Sequence, residues 1–490
     1  MADPDPAESR LVPAGWRLRL ATGVEVAGEG DILLGGSPLR VLRLSARGAT
    51  LVTAWLAGQP VGADESERAL ARRLLDAGLA HPDPPPRGPD AIDEVTVIVP
   101  VYADPERLRR CLAPLAGGPS VIVIDDGSPD PQPIASVADE IGARHLRHPQ
   151  NRGPAAARNT GLQAASTPFV AFLDADCVPP PGFPGRLFDH LADPAVGLAA
   201  PRVVSSDLGR GPVAAYERVR SALDMGPRPS RVRPYSTVWY VPSAAMVARR
   251  DALGRGFDEG LVLGEDVDLV WRLHDAGWQV RYDPSVLVTH EDRLRPAAWY
   301  RRRVAYNESV APLRERHPER VPVLFLTPRA GVAWIAALAG SPVPLLGLSV
   351  MRATRLHSTL AAYIPGAGAR SARMSIEITL REGRDLARAI AGPWAPFASA
   401  ALALAGRRRR ALATRMGVLV LAMAVGDWAT DRPRLDPVRY AALRLADESS
   451  RGVGIWLGCL RARDFGSLLA RRPPDRIRRR PQAPPTFPIT

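Results

Sequence analysis

Asp174 and Asp176 are the most informative residues of the chain, because they stand one residue apart directly after an apolar run, Thr167–Leu173, that predicts a buried strand. Hard divalent cations take oxygen ligands and share them with phosphate, so the pair suits Mg²⁺ or Mn²⁺ holding a diphosphate. We predict Asp176 as the direct ligand, with Asp174 completing the metal site or lying toward a ribose. His290 ends another apolar run and is a third candidate ligand, although a lone histidine there is as often structural.

A second pair of carboxylates, Asp125 and Asp126, ends the apolar run Val121–Ile124 and is followed by Gly127 and Ser128, which are typical of a turn. The two side chains could accept hydrogen bonds from a nucleobase or from ribose hydroxyl groups. The alternative is an Asx turn or a helix N-cap, which short acids also make.

Pro100 and Tyr102 close an earlier apolar run, where the backbone and the aromatic ring could border a nucleobase. Arg158 is predicted about one turn inside a helix that begins near Pro154, a residue favoured at a first helical position. Arg158 could face a nucleotide, pair with Asp174, or lie on a solvated face.

A third acidic cluster begins a helical pattern at Glu265 and Asp266, with Asp268 close behind. We predict Asp266 as a general base and Glu265 as a neighbour on the nucleotide side of the site. A helix N-terminus lowers the pKa of an acid, so burial or the neighbouring carboxylates must raise the pKa of Asp266 for this role. Simple N-capping would explain one of these acids but not three.

Apolar runs and helical segments alternate over residues 95–295, which predicts an α/β domain with a mainly parallel sheet and helices on both faces. Ligands gather at the carboxyl ends of such strands, where the acidic clusters fall. Before this domain, residues 16–36 predict short strands, residues 39–56 and 67–77 predict helices, and the proline-rich stretch 81–89 predicts a linker. The predicted domains are therefore 1–89, 90–320 and a mainly helical 321–490.

The predicted C-terminal domain is strongly basic, with 26 arginines against 10 acidic residues in 321–490, whereas the whole chain carries +13. This charge favours an anionic partner such as a membrane surface, or solvated helix faces; no nucleic-acid motif accompanies it. Gly331–Val350 and Pro396–Met423 are apolar but interrupted, so we expect an interfacial helix or a soluble helical subdomain rather than a spanning helix. Three scattered cysteines and the lack of a secretory pattern at the start predict a cytoplasmic protein, with the inner face of the membrane as the alternative location.

The motifs over about residues 94–295 resemble inverting glycosyltransferases of family 2 in order and approximate spacing: Val97–Tyr102, Val123–Ser128, Asn151–Asn159, Phe172–Asp176 and Gly256–Asp266. The resemblance implies the type A nucleotide-sugar fold, with a uridine diphosphate sugar in the slot. It also implies Mg²⁺ or Mn²⁺ on Asp174 and Asp176, Asp266 as catalytic base, and a single displacement that inverts the anomeric carbon.

The arrangement of the whole chain is similar to that of glycosyltransferases of the mycofactocin system, which add β-linked glucose to a peptide-derived redox cofactor. Residues 12–80 are similar to small winged-helix modules of the PqqD type, so a strand near 24–26 or 32–34 could bind a peptide along its edge. The resemblance implies glucose from UDP-glucose and a peptide-derived acceptor. Two alternatives are a lipid phosphate or cell-envelope glycan as acceptor, and a peptide-binding scaffold with an inactive transferase domain.

Overall fold

The computed structural model of the chain describes residues 11–36, 39–206, 209–292, 295–364 and 366–472. These residues fall into two units. The first contains the described residues up to Ser206 together with Ser221–Glu291, and the second contains residues 209–220 and the chain from Asp292 to residue 472. The division groups 292–320 with the C-terminal helices, whereas the predicted boundary lay at residue 320; the three predicted domains stay a prediction.

The N-terminal part of the first unit has five short strands and two helices: β1 (Arg17–Leu20), β2 (Glu25–Ala27), β3 (Ile32–Gly35), β4 (Arg40–Arg43), α1 (Ala46–Leu56), α2 (Glu65–Ala77) and β5 (Ala80–Asp83). Strands β2, β3 and β4 form an antiparallel sheet. The helix predicted from residue 39 is wrong over 40–43, because these residues pair with β3 before Ser45 caps α1. The core of this N-terminal part contains Trp16, Leu33, Trp55 and Leu75.

The first residues of the predicted linker 81–89 are a strand instead. His81, Pro82 and Asp83 belong to β5, which pairs antiparallel with β1. Asp83 also accepts hydrogen bonds from Arg19 and Arg186. Pro82 therefore lies in a short strand of a two-stranded sheet, where both strands are edge strands. Proline is tolerated on such strands.

A sheet of nine strands forms the centre of the first unit. Its elements are β6 (Val95–Val101), α3 (Pro105–Leu112), β7 (Ser120–Asp125), α4 (Gln132–Glu140), β8 (Arg144–Arg147), α5 (Pro154–Ala164), β9 (Phe169–Leu173), β10 (Cys177–Val178), α6 (Gly185–Asp189), β11 (Val196–Ser205), β12 (Ser230–Val232), β13 (Ala245–Arg249), α8 (Glu265–Asp275) and β14 (Gln279–His290). The order across the sheet is β8-β7-β6-β9-β13-β11-β14-β10, and β12 also pairs with β14.

The sheet is mixed, so the prediction of a mainly parallel sheet holds for only part of it. β8, β7, β6 and β9 are parallel, as are β11 and β14. β13 runs antiparallel to both of its neighbours, β9 and β11, and β10 and β12 run antiparallel to β14. The reversed β13 brings its first residues to the edge of the sheet where β9 ends.

The N-terminal part is fixed to the central sheet by one buried ion pair and by more exposed polar contacts. Arg72 of α2 donates to Asp193 at 2.7 Å, and both side chains are almost fully buried. Asp76 accepts hydrogen bonds from Arg231 and from Gln279 at 2.9 Å each. Because breaking a buried ion pair is costly, these contacts make the N-terminal part a fixed portion of the first unit.

The second unit is mainly helical, as predicted for the C-terminal region. It contains α7 (Pro212–Arg220), α9 (Pro296–Glu308), α10 (Val310–Arg316), β15 (Leu324–Phe325), α11 (Pro328–Ala339), α12 (Val343–Leu360), α13 (Ala367–Ala391), α14 (Ala395–Leu404), α15 (Arg409–Asp431), α16 (Pro437–Ala462) and β16 (Ala470–Arg471). Buried ion pairs link its helices. Arg444 of α16 contacts Asp427 of α15 at 2.8 Å and Glu448 at 2.6 Å.

The apolar helices of this unit break where the sequence indicated. α11 ends before Ser341-Pro342, and α14 is separated from α15 by a turn containing Arg407 and Arg408. Gly406–Asp431 has a stretch with a mean hydropathy of 1.4, and it is long and apolar enough to cross a membrane by length and composition. The core helix of a soluble protein can have the same composition, but only 17% of this stretch is buried.

Candidate active site

Each sequence motif reaches the same edge of the central sheet. β6, β7 and β9 are parallel and end there, so Tyr102, Asp125 and Asp174 follow or close adjacent strands. The antiparallel β13 begins there, and the Asp174 N–H donates to the Ala244 carbonyl at 2.9 Å. The predicted site residues that follow these strands therefore lie at the same end of this part of the sheet.

Arg158 binds two of the predicted carboxylates at once. Its guanidinium contacts Asp174 Oδ1 at 2.5 Å and Glu265 Oε1 at 2.9 Å, with 3% of its side chain exposed. Burial alone would lower the pKa of Arg158, but Asp174 and Glu265 raise it above the ordinary value. Of the three possibilities that the sequence left open, the pairing with Asp174 is the one observed, and the solvated face is wrong.

Asp266 lies next to this ion-paired group, in the first turn of α8. Gly264 precedes the helix in the left-handed conformation, with φ of 88°. Asp266 accepts hydrogen bonds from the Val267 N–H at 2.7 Å and the Ser243 N–H at 3.3 Å. Burial and the adjacent Glu265 raise its pKa to about 7, against the lowering effect of these bonds and of Arg158. A carboxyl group with this pKa is suited to accept a proton near neutral pH.

The third acid of the cluster, Asp268, has a charged partner on its own helix. Asp268 is buried and pairs with Arg272 at 2.7 Å, one turn along the same helix. An intrahelical partner four residues on offsets the charge of Asp268, whereas the contribution of this acid to Asp266 stays a prediction.

Asp176 and His290 form a second polar group at the same edge. β10 pairs with β14 so that Cys177 lies opposite His290, and His290 Nε2 is 3.4 Å from Asp176 Oδ2. Asp176 is partly exposed and His290 is buried. A carboxylate and an imidazole suit Mg²⁺ or, better, Mn²⁺ when diphosphate and water oxygens complete the coordination.

A protein-only metal site is not preformed in the part of the chain that the structure describes, since no group of three histidine, cysteine or acidic residues is close enough to hold an ion. Asp174 already engages Arg158 through Oδ1. The residues therefore fit a metal held by Asp176 and His290 and completed by the ligand, while the predicted role of Asp174 stays a prediction.

Asp125 and Asp126 are both buried and hold the loops around them. Asp125 Oδ1 accepts from the Ser128 N–H at 2.8 Å, which is the Asx turn weighed as the alternative. Asp126 accepts from His148 Nδ1 at 2.7 Å and from the backbone N–H groups of Arg152 at 2.9 Å and Gly153 at 2.8 Å. These bonds fix the start of α5, and with it the position of Arg158.

Gly127 makes the close approach of these two loops possible. Its φ is 77°, and a β-carbon there would collide with the backbone of Gln150 and Asn151. Tyr102 remains open, with 51% of its surface exposed, and Pro100 is partly buried in β6. An exposed ring beside a fixed loop is consistent with the predicted nucleobase contact, which stays a prediction.

Several residues of the site carried no recognisable signal in the sequence. Ser243 binds Asp266 through its N–H, and its hydroxyl lies 3.4 Å from Glu265. His148 links Asp126 to Thr160 at 2.8 Å. The first contact depends on the antiparallel β13, and the second on the parallel pairing of β8 with β7, which joins residues 22 positions apart, so neither could be read from local spacing.

The matched family and relatives agree with this arrangement. The model of "Glycosyl transferase family 2" matches residues 96–256. The pre-mycofactocin glycosyltransferase of Mycobacterium tuberculosis (strain ATCC 25618 / H37Rv) is 40% identical over 481 residues, which are 93% of this chain and 98% of the relative. Glycosyltransferase AglE of Haloferax volcanii is 27% identical over 212 residues, covering 41% of this chain and 67% of AglE.

Among solved structures, the chain resembles the mannosyltransferase PcManGT from Pyrobaculum calidifontis in complex with GDP-Man and Mn²⁺. The two are 20% identical with a TM-score of 0.40, over 74% of this chain and 89% of that chain. S. aureus TarS is 19% identical with a TM-score of 0.32, over 44% of this chain and 39% of TarS. Together with the family match, the mixed sheet confirms the predicted type A nucleotide-sugar fold.

Proposed function

The chain belongs to the family of pre-mycofactocin glycosyltransferases, whose catalytic domain is of glycosyltransferase family 2, and from this membership we propose its reaction in detail. It transfers glucose from UDP-glucose, with inversion, to a hydroxyl group of the peptide-derived redox cofactor mycofactocin or of the oligosaccharide already attached to it. The observation that carries the proposal is Asp266, a carboxyl group with a pKa of about 7 beside the Arg158 ion pairs.

The proposed step is a single displacement. The acceptor oxygen forms a bond to the anomeric carbon while the bond from that carbon to the diphosphate oxygen breaks, and UDP leaves with the electron pair. The acceptor proton passes to Asp266, whose carboxylate is held by the Ser243 and Val267 N–H groups. Because attack and departure occur on opposite faces, the product has the inverted configuration.

The donor is proposed to lie along the edge between Tyr102 and Asp176. Tyr102 offers an exposed ring for the base, and Asp125 and Asp126 hold the neighbouring loop in place. Asp174 lies within reach of the ribose, with its other oxygen fixed by Arg158.

We propose Mg²⁺ or Mn²⁺ as cofactor, with Asp176 and His290 as the residues that would hold it. Such an ion neutralises the charge that develops on the departing diphosphate. The 3.4 Å separation of His290 Nε2 and Asp176 Oδ2 supports this pairing.

The acceptor assignment rests on the relative that covers nearly the whole chain. A lipid phosphate or a cell-envelope glycan is the second candidate, and the exposed apolar residues of the C-terminal helices favour it. Val332, Val343 and Leu404 are each more than 65% exposed. The other alternative, an inactive peptide-binding scaffold, is disfavoured by the intact ion pairs of Arg158.

We further propose that the protein is cytoplasmic and binds the inner face of the membrane through α14 and α15. Leu404 and Val418 are exposed on these helices. Arg407–Arg410, at the turn and the start of α15, lie between these two residues in the sequence. Apolar side chains beside clustered arginines are suited to anionic lipid headgroups.

The donor and the metal can be tested together by incubating the purified protein and the peptide-derived acceptor with UDP-glucose, UDP-galactose or GDP-mannose, with and without Mn²⁺. Mass spectrometry and proton NMR of the product would identify the sugar and its anomeric configuration. We expect β-linked glucose, formed only with the metal. An α-linked product, or equal turnover in a metal chelator, would contradict the proposal.

Asp176→Asn tests the metal role directly. We expect Mn²⁺-dependent binding of UDP-glucose to be lost, because the amide is a poor ligand for a hard cation. Asp139→Asn, at an exposed position in α4, is the matched control and should bind normally. Mn²⁺-dependent binding of equal strength in both variants would remove Asp176 from the metal site.

A further inference from the structure

Trp239 is an exposed tryptophan held in a fixed position near the proposed base. The ten tryptophans of the chain all lie in the described residues, and Trp239, at 41%, is the most exposed of them. The neighbouring Val238 and Val241 are 3% and 0% exposed. The backbone on both sides of the exposed ring is therefore anchored in the core.

Ring contacts hold the indole of Trp239 in place. Its centroid lies 4.4 Å from that of Tyr240 and 5.7 Å from that of Trp271. The Trp271 indole N–H donates to the Trp239 carbonyl at 2.9 Å, and Trp271 is buried in α8. An exposed aromatic ring that is already ordered loses little entropy when a ligand binds to it.

Residues 239–243 connect Trp239 to a backbone contact of Asp266, the proposed base. Ser243, four residues after Trp239, donates its N–H to Asp266. Asp266 and Trp271 also lie on one helix, five residues apart, which is a rise of about 7.5 Å. Four residues span at most about 14 Å, so the Trp239 backbone lies no farther than that from the residue whose N–H contacts the Asp266 carboxylate.

We propose that Trp239 binds a pyranose ring of the acceptor and thereby selects acceptors that already carry a sugar. This inference rests on the proposed function. A β-glucopyranose has an apolar face formed by the axial hydrogens H1, H3 and H5, and a flat aromatic ring is complementary to such a face. With that ring on Trp239, a hydroxyl elsewhere on the same glycan reaches Asp266, so the site extends a glycan after the first transfer.

The test compares Trp239→Phe with Trp239→Leu, because phenylalanine keeps a flat aromatic face whereas leucine keeps only apolar bulk. Saturation-transfer NMR would use methyl β-D-glucopyranoside with UDP and Mg²⁺. In the wild-type protein, and more weakly in Trp239→Phe, we expect saturation of H1, H3 and H5 over H2 and H4. In Trp239→Leu we expect this selectivity to be lost.

Kinetics with the glucosylated acceptor provide the second readout. Aromatic contacts contribute about 0.5–1.5 kcal/mol, so Trp239→Leu should raise the acceptor KM about two- to tenfold and change kcat less. Leu56→Ala, which also removes an exposed apolar side chain, is the matched control and should leave KM unchanged. Thermal unfolding of each variant identifies any loss of folding.

The outcomes separate this inference from the proposed function. If the wild-type protein transfers glucose but Trp239→Leu retains the wild-type KM and NMR selectivity, the sugar contact at Trp239 is refuted while the proposed reaction stands. If the wild-type protein transfers no sugar from any nucleotide donor, the proposed function itself fails. A KM raised equally in Trp239→Phe and Trp239→Leu would exclude ring stacking.

Discussion

Asp266→Asn is the substitution with the sharpest expected result, because it should lower activity and raise stability in the same protein. Asparagine has nearly the same shape and keeps an oxygen that can accept from the Ser243 and Val267 N–H groups. It cannot take a proton from the acceptor. We therefore expect kcat to fall by about 10²–10⁴, the usual contribution of a general base, while UDP-glucose binding remains.

The stability change follows from the pKa. In the folded protein the pKa of Asp266 is about 7, raised from 3.8 by burial and by Glu265. Since the folded pKa is the higher one, the protonated acid is favoured by folding, and its stabilising effect is present below pH 3.8 and lost as the pH rises through 7. A pKa difference of about 3 sets an upper limit of about 4 kcal/mol, and about half of that is expected because Asp266, although mostly enclosed, keeps some contact with solvent.

Urea unfolding at pH 5 and pH 8.5, with turnover measured on the same samples, checks both parts. Wild-type stability should fall between the two pH values, and Asp266→Asn should be more stable than the wild type at pH 8.5 by about 2 kcal/mol. The wild-type kcat/KM should rise with pH and level off above about 7. Wild-type turnover in the variant, or an identical pH dependence of stability in both proteins, would refute the role of Asp266.

The remaining predictions concern the buried ion pairs and the basic surface. Arg158→Met should lower the free energy of unfolding, measured in urea, by about 3–5 kcal/mol, because two carboxylates lose their partner. The midpoint of its pH–activity curve should move upward, since Arg158 lowers the pKa of Asp266. Arg72→Met should cost about 3 kcal/mol or more by leaving the fully buried Asp193 uncompensated, and a loss below about 1 kcal/mol by the same method would contradict this. Replacing Arg407–Arg410 with glutamine should weaken binding to vesicles of anionic lipid at least tenfold in a flotation assay, since each arginine contributes about 1 kcal/mol near such a surface.

Local sequence was sufficient to locate the acidic residues of the site and the strands that precede them. An apolar run followed by carboxylates places those carboxylates at a strand end, and Asp125 and Asp174 are found there. The requirement that burial and a neighbouring carboxylate raise the pKa of Asp266 could also be stated in advance, because the helix dipole alone acts in the opposite direction.

The rest depended on contacts between distant parts of the chain. A short apolar run does not reveal the direction of a strand, so the antiparallel β13, which brings Ser243 to Asp266, was not predicted. Residues 40–43 have an apolar pattern compatible with a helix, but pairing with β3 decides their conformation. Asp268 was grouped with the site by proximity in sequence, although Arg272 on the next turn neutralises it.

The charges at the site give a reason for a metal that does not depend on likeness to other proteins. Asp174, Asp176 and Glu265 are carboxylates, and Asp266 is about half ionised at pH 7, whereas the ion pairs of Arg158 supply one positive charge. A diphosphate would add more negative charge to this excess. Two unit charges of the same sign about 4 Å apart near a protein surface repel by about 4 kcal/mol. A divalent cation on Asp176 and His290 would reverse that repulsion, so the affinity for UDP should depend on the metal far more than the affinity for uridine, which has no phosphate. Equal metal dependence of uridine and UDP binding in calorimetric titrations would contradict this reasoning.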